Sequence, residues 1–185
     1  MTVATMKSVV HRLEWLVESL GGLARLCILA LVLLVATNVI LRYLFSIGPV
    51  ALQELEWHLV SPIALLGLSY SMKHRADVRI DFLYERFPAR LCAASDLIAA
   101  LLTVAVGAII AWLSLAYVNQ AYNLNEGSPD PGGLPMRYLL KAFIPLGFLL
   151  LVIQGIADSL RAIARIHDPA TDLAPENKLS TETSA

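Results

Sequence analysis

The sequence predicts an all-α membrane protein with four transmembrane helices and both termini in the cytoplasm. Hydrophobic residues make up 57% of its 185 residues and charged residues only 16%, whereas a soluble domain carries about a quarter charged residues. The apolar residues are gathered into long runs, and a helix needs roughly 20 of them to cross a hydrocarbon core of ~30 Å. Because the net charge is only −1, the composition does not indicate a nucleic-acid partner.

Four segments have the length and apolar character of membrane-spanning helices. They are residues 21–45, 50–72, 93–118 and 138–160. The third is the most uniform, because residues 97–118 contain no charge. The second is the least apolar, since several polar residues precede Trp57. Together these segments define a membrane domain over residues 21–165.

The distribution of lysine and arginine predicts the orientation of these segments. Eleven of these residues lie on the side shared by the two termini and the loop between the second and third spans: Lys7, Arg12, Arg25, Lys73, Arg75, Arg79, Arg86, Arg90, Arg161, Arg165 and Lys178. Three lie on the other side: Arg42, Arg137 and Lys141. Because positive residues accumulate in cytoplasmic loops, we expect a multi-pass membrane protein with both ends inside.

The two ends of the chain differ from the membrane domain in composition. Residues 1–20 carry an apolar stripe with charged residues elsewhere, which predicts a short amphipathic helix on the cytoplasmic membrane surface. The stripe consists of Val9, Leu13, Leu16, Val17 and Leu20. Residues 166–185 are rich in Pro, Thr, Ser and acidic residues, which predicts a disordered cytoplasmic tail.

Polar and small residues on the first two spans are the candidate contacts to a partner. Small residues let helices approach each other in a membrane, and polar groups there need partners. The candidates are Asn38, Arg42, Glu54, Glu56, Trp57, Ser61 and Gly67. Asn38 and Arg42 share a helix face, so they contact either another helix or subunit, or each other, with Arg42 reaching the headgroups. The third span has plain aliphatic residues, and we expect it to pack internally or against lipid.

The sequence contains no recognisable catalytic or cofactor-binding arrangement. Glu54 and Glu56 are two positions apart and point to different faces of a helix, so a partner ion pair or an interfacial role is favoured over metal binding. A haem would need two axial ligands on facing helices, but His58 is the only histidine within a span. Cys27 and Cys92 are too few for a zinc site or a disulfide framework. We therefore expect neither an enzyme nor a cofactor.

The segment between the third and fourth spans is rich in turn-forming residues. Residues 125–135 hold three glycines and three prolines, which permit positive φ and fix φ respectively. This composition predicts a defined turn structure on the outer side of the membrane, either as a simple connection or as a docking surface. The candidate docking residues are Glu126, Asp130, Gly132, Gly133 and Arg137.

Four stretches, in order along the chain, resemble the DctQ-type small permease subunit of tripartite ATP-independent periplasmic (TRAP) transporters. They are 38–43 (NVILRY), 54–57 (ELEW), 77–83 (DVRIDFL) and 126–138 (EGSPDPGGLPMRY). The resemblance covers about residues 20–165. Asp77 stands where the family usually has a histidine, and His74 is displaced upstream, so a role for that histidine does not carry over.

The resemblance implies an accessory role in the uptake of organic acids. In this family a periplasmic binding protein delivers the substrate, and a large permease subunit carries the substrate and sodium sites and moves as an elevator. The small subunit joins the static scaffold in the lipid bilayer and contributes to docking of the binding protein. The loop motif favours a small 2-oxo or hydroxy carboxylate. The alternative is a self-sufficient homo-oligomeric channel or exporter, which would need a polar stripe that residues 97–118 lack.

Overall fold

The computed structural model describes residues 3–76 and 88–167. Four helices make up most of these two ranges, and no strand occurs in them. The helices are α1 (Val3–Phe45), α2 (Val50–Lys73), α3 (Ala89–Asn123) and α4 (Arg137–His167). The predicted all-α class is confirmed. The whole DVRIDFL stretch (residues 77–83) and nearly all of the predicted tail lie outside the described residues.

Three of the helices in the described part of the chain are long and apolar enough to cross a membrane. The qualifying segments are Thr5–Phe45, Arg90–Asn123 and Arg137–His167. The second helix begins at the predicted position but has polar side chains in its first turns. Its membrane crossing stays a prediction, and so does the placement of both termini in the cytoplasm.

The first helix differs from the prediction of a separate short helix over residues 1–20. It runs for 43 residues without interruption, which makes it about 65 Å long. Gly21 stands at the expected boundary, but a Cβ there would lie 2.9 Å from Tyr70 Cε2, so this glycine lets α1 pack closely on α2. Val10 and Val17 are 5% and 1% exposed. Of these two residues, only Val17 belongs to the predicted apolar stripe, and it faces protein, whereas Leu16 of the same stripe is 41% exposed. The placement of residues 1–20 on the membrane surface stays a prediction.

The fourth helix is the centre of the bundle, because it packs against each of the other three. Its contact with α3 depends on two glycines. A Cβ at Gly107 would lie 2.9 Å from Val152 Cγ2, and one at Gly155 would lie 2.9 Å from Val104 Cγ2. The two backbones thus approach closely at these positions, as small residues allow in membrane helices.

Apolar side chains cover the outer faces of α1 and α3. Those more than half exposed on α1 include Leu26, Leu29, Val32, Leu33 and Ile40, and those on α3 include Ile98, Leu102, Val106, Ile109 and Leu113. Exposed apolar surface of this extent is typical of faces that meet lipid or another protein. The packed interior is small by comparison, with Ala24, Leu66 and Leu150 in one buried cluster.

Candidate functional site at the loop between α3 and α4

The side chain of Glu54 joins the start of α2 to the loop between α3 and α4. The residue is only 9% exposed. Its Oε1 accepts a hydrogen bond from the Ser128 hydroxyl, and its Oε2 accepts one of 2.6 Å from the backbone N–H of Leu134. Arg137 Nη2 lies 3.7 Å from Oε1. The buried carboxylate therefore has a donor on each oxygen and a cation beside it, as a buried charge requires.

The loop has the defined turn structure that its composition predicts. The Ser128 N–H donates to the Leu134 carbonyl at 3.1 Å, and the Gly133 N–H donates to the Asp130 carbonyl at 3.0 Å. The Ser128 hydroxyl also accepts a 3.1 Å hydrogen bond from the Asp130 N–H. Gly132 has φ +80°, a conformation that glycine adopts readily. The turn is thus closed by backbone hydrogen bonds as well as by Glu54.

One glycine of the loop makes room for the carboxylate. A Cβ on Gly133 would lie 2.7 Å from Glu54 Oε2 and closer still to the Ser128 side chain. Any larger residue would therefore push the loop away from α2. Asp130 and Gly132 are exposed.

A second ion pair closes the base of the loop. Lys141 of α4 pairs with Glu126, and its Nζ lies 4.0 Å from the ring centroid of Tyr117 on α3. The Arg137 N–H donates to the Glu126 carbonyl at 3.0 Å. The last turn of α3, the loop and the first turn of α4 are therefore held together. Cation–π contacts of this kind contribute about 0.5–1 kcal/mol at exposed sites.

Two further interface candidates pair with each other inside the chain. Asn38 of α1 is 7% exposed, and its Nδ2 donates a 2.9 Å hydrogen bond to Glu56 Oε1 of α2. The structure therefore gives Asn38 a partner on another helix. Within the described residues its Oδ1 has no hydrogen-bond partner.

The remaining interface candidates lie at the surface. Arg42 is exposed and the Trp57 side chain is 72% exposed. Ser61 and Gly67 are partly exposed, and a Cβ on Gly67 would meet nothing within 4 Å. Thus Asn38, Glu54 and Glu56 link parts of this chain, whereas the other four candidates remain available to a partner.

A shallow cleft lies beside the Glu54 side chain. It is lined by Glu54, Trp57, His58, Asp130, Arg137 and Leu140. The cleft brings the start of α2 together with the predicted docking loop, although the two are far apart in the sequence. No group of three or more His, Cys, Asp or Glu residues placed to hold a metal occurs in the part of the chain that the structure describes.

Several residues of this site were not singled out by the sequence. Ser128 and Leu134 bind the Glu54 carboxylate, and Lys141 closes the loop. The loop composition predicted a turn, but neither helical periodicity nor turn propensity indicates which carboxylate the turn will contact. The available signal was that Ser128 and Leu134 both lie within residues 126–138, one of the stretches that resemble the transporter family.

A second charged cluster lies at the opposite end of the bundle. Arg161 is 2% exposed, pairs with Glu14 of α1, and has its Nη1 2.7 Å from Asp158 Oδ1. Nearby, Arg165 Nη1 lies 3.6 Å from Asp96 Oδ2 on α3. Sequence reasoning treated these arginines only as cytoplasmic charges. The spacing of Asp158, Arg161 and Arg165 along one helix was a signal for a shared network.

Comparison with known proteins gives two similarities. The family model described as "Tripartite ATP-independent periplasmic transporters, DctQ component" matches residues 31–165. The chain is also 24% identical over 163 residues to the ectoine TRAP transporter small permease protein TeaB of Halomonas elongata. That alignment covers 86% of this chain and 78% of the relative.

Proposed function

Because the chain belongs to the DctQ family of TRAP transporter components, we propose that it is the scaffold subunit of a sodium-coupled, binding-protein-dependent transporter for organic acids. As a small TRAP permease component with several apolar helices, it is a multi-pass protein of the bacterial inner membrane. Its proposed partners are the large elevator-type permease subunit, a periplasmic solute-binding protein and the surrounding lipids.

The observation that carries the scaffold role is that the polar groups of the bundle are used to hold the chain together. Asn38 binds Glu56, and Glu54 binds the loop. On α3, the hydroxyls of Thr103 and Ser114 donate to carbonyls of their own helix. A transport path through a membrane protein instead presents polar groups toward a substrate site near the membrane centre. These contacts favour a static subunit.

We place both termini in the cytoplasm, with α2 as the fourth span. The positive-inside distribution supports this placement. The polar start of α2 also fits it, because the Glu54 carboxylate is satisfied by the periplasmic loop and need not face lipid. A charged residue that faces lipid without a partner would be costly.

The large permease subunit is proposed to pack on α1 and α2 through Arg42, Trp57, Ser61 and Gly67. Trp and Arg are enriched among residues that contribute most to protein interfaces, and small residues permit close helix approach. The loop, with Asp130 and Gly132 exposed, is proposed to contribute to docking of the binding protein.

The substrate is proposed to be a small organic acid, with a 2-oxo or hydroxy carboxylate favoured. The relative from Halomonas elongata is named for ectoine, so ectoine belongs among the compounds to test. Proteoliposomes with both permease subunits, the binding protein and an inward sodium gradient should take up one of labelled pyruvate, lactate or ectoine. Uptake should require all three proteins and should collapse without the gradient.

The decisive control for this experiment is the small subunit alone. Vesicles that contain only this chain should show no uptake of the three compounds. Transport by the purified chain alone would contradict the scaffold role and favour a self-sufficient homo-oligomeric channel or exporter.

A further inference from the structure

We infer that Glu54 is a positioning residue that holds the loop between α3 and α4 in the shape that docks the binding protein. The sequence suggested Glu54 as a direct contact to a partner. The structure gives this carboxylate partners within the chain, on the inner side of the docking loop. The inference rests on the proposed docking function of the loop and names the residue on which that function depends.

The carboxylate binds both arms of the turn. One oxygen accepts from the Ser128 hydroxyl on the outgoing arm, and the other accepts from the Leu134 N–H on the returning arm. Between these two residues, the Ser128 N–H donates to the Leu134 carbonyl. Loss of the carboxylate would therefore remove a bond from each arm at the point where the arms pair.

The loop is also built to accept this carboxylate. Gly133 leaves the space that the Glu54 and Ser128 side chains occupy. Arg137 is placed beside Glu54 Oε1, with its side chain 35% exposed. A shorter side chain at position 54, such as that of Ala, would leave the Leu134 N–H without its acceptor. A shorter or a neutral side chain would leave Arg137 without its counter-ion.

The same carboxylate fixes the loop relative to the membrane helices. Glu54 lies on α2, and Trp57, three residues later, lines the same cleft and is 72% exposed. If Trp57 contacts the large subunit as proposed, Glu54 sets the distance between that contact and the docking loop. Preorganised loops bind more tightly because they lose less freedom on binding.

The first measurement is hydrogen exchange of the full chain in complex with the large subunit in lipid nanodiscs. Glu54→Ala should speed exchange of the amides in residues 126–137 by about tenfold or more, because local opening becomes easier. Glu56→Gln is the matched control, since Glu56 binds Asn38 and not the loop. Unchanged exchange in Glu54→Ala would overturn the inference.

The second measurement is binding of the transporter's own binding protein to the same nanodiscs. Glu54→Ala should weaken binding by about tenfold, because a loop that is no longer held in shape loses more freedom on binding. Glu56→Gln should leave the affinity unchanged. Ser128→Ala keeps the carboxylate, so it should show a smaller effect in both measurements. It also serves as the test variant if Glu54→Ala fails to assemble with the large subunit.

A surface variant separates failure of the inference from failure of the proposed docking function. Asp130→Lys changes an exposed side chain at the cleft beside Glu54 and leaves the Ser128 and Leu134 contacts of Glu54 in place. If Asp130→Lys weakens binding but Glu54→Ala does not, the loop docks the binding protein and Glu54 does not position it. If neither variant changes binding although Glu54→Ala speeds exchange, the loop is not a docking surface, and both proposals are overturned.

Discussion

The guanidinium of Arg161, near the end of α4, forms an ion pair with the carboxylate of Glu14, near the start of α1. Arg161 is buried and also contacts Asp158 one turn earlier. This pairing ties the first residues of α1 to the central helix of the bundle. It gives a physical reason why residues 3–20 continue the first helix rather than lie apart from it.

The first prediction concerns this ion pair. Removing one partner of a buried pair leaves an uncompensated charge and typically costs about 3–5 kcal/mol. Arg161→Ala should therefore lower the melting temperature of the chain purified in detergent. Arg12→Ala is the control, because Arg12 is exposed on α1. Equal melting temperatures for the two variants would show that the pair does not stabilise the fold.

The residues of this pair also illustrate which parts of the fold the sequence could predict. The ends of α2 and the start of α4 follow from local composition, because turn-forming and charged residues flank the apolar runs. The continuity of α1 depends instead on Glu14 meeting Arg161 and on Gly21 meeting Tyr70. These partners are distant in the chain. Helical periodicity shows on which side of a helix a residue lies, but not which residue of another helix it contacts.

The candidate site likewise has one part that the sequence predicts and another that it does not. The turn structure of the loop could be predicted from its glycines and prolines. The hydrogen bond between the Glu54 carboxylate and the Leu134 N–H could not be predicted, because the two residues are 80 positions apart in the chain. Glu54, Glu56 and Asn38 were predicted to contact a partner subunit, because polar groups in a membrane need partners. Each of them has a partner within this chain, and contact with another subunit stays a prediction.

The second prediction concerns Asn38 and Glu56. Hydrogen bonds between membrane helices average about 0.6 kcal/mol in double-mutant cycles, with a maximum of about 1.7. A cycle of Asn38→Ala and Glu56→Ala, each of which removes the hydrogen bond, should give a coupling energy in this range, measured by unfolding in mixed detergent micelles. A coupling of zero would mean that the two side chains contribute to stability independently.

The third prediction compares two glycines. A Cβ on Gly147 would lie 2.6 Å from Leu65 Cβ and 2.9 Å from the Leu65 carbonyl oxygen, so α2 and α4 must separate to admit it. Gly147→Ala should destabilise the chain by about 1–3 kcal/mol, the usual cost of overpacking. Gly67→Ala should not, because its Cβ would enter open space. The check is thermal unfolding of both variants, and similar losses in both would contradict the packing of α4 on α2.

The fourth prediction concerns topology. Reporter fusions at Ser128 should signal the periplasm, and fusions after Asp168 or within residues 73–90 should signal the cytoplasm, as the positive-inside rule requires. The fusion within residues 73–90 is the critical one, because it depends on α2 crossing the membrane. A periplasmic signal there would remove α2 from the set of spans and place the termini on opposite sides.

The last prediction concerns the contact with the large permease subunit. Exposed Trp and Arg side chains at an interface often contribute about 2 kcal/mol or more each. Trp57→Ala and Arg42→Ala should therefore weaken co-purification of the large subunit, whereas Ile109→Ala should not. Ile109 is a matched control, because it is 59% exposed on α3 among aliphatic residues.

The same experiment distinguishes an interface effect from a folding effect. Gly67→Leu adds bulk where a Cβ meets nothing within this chain, so it should leave the melting temperature of the isolated subunit unchanged. If α1 and α2 meet the large subunit through small residues, that added bulk should still reduce co-purification. Equal retention of the large subunit by the Trp57, Arg42, Gly67 and Ile109 variants, at matched expression, would place the interface elsewhere on the bundle.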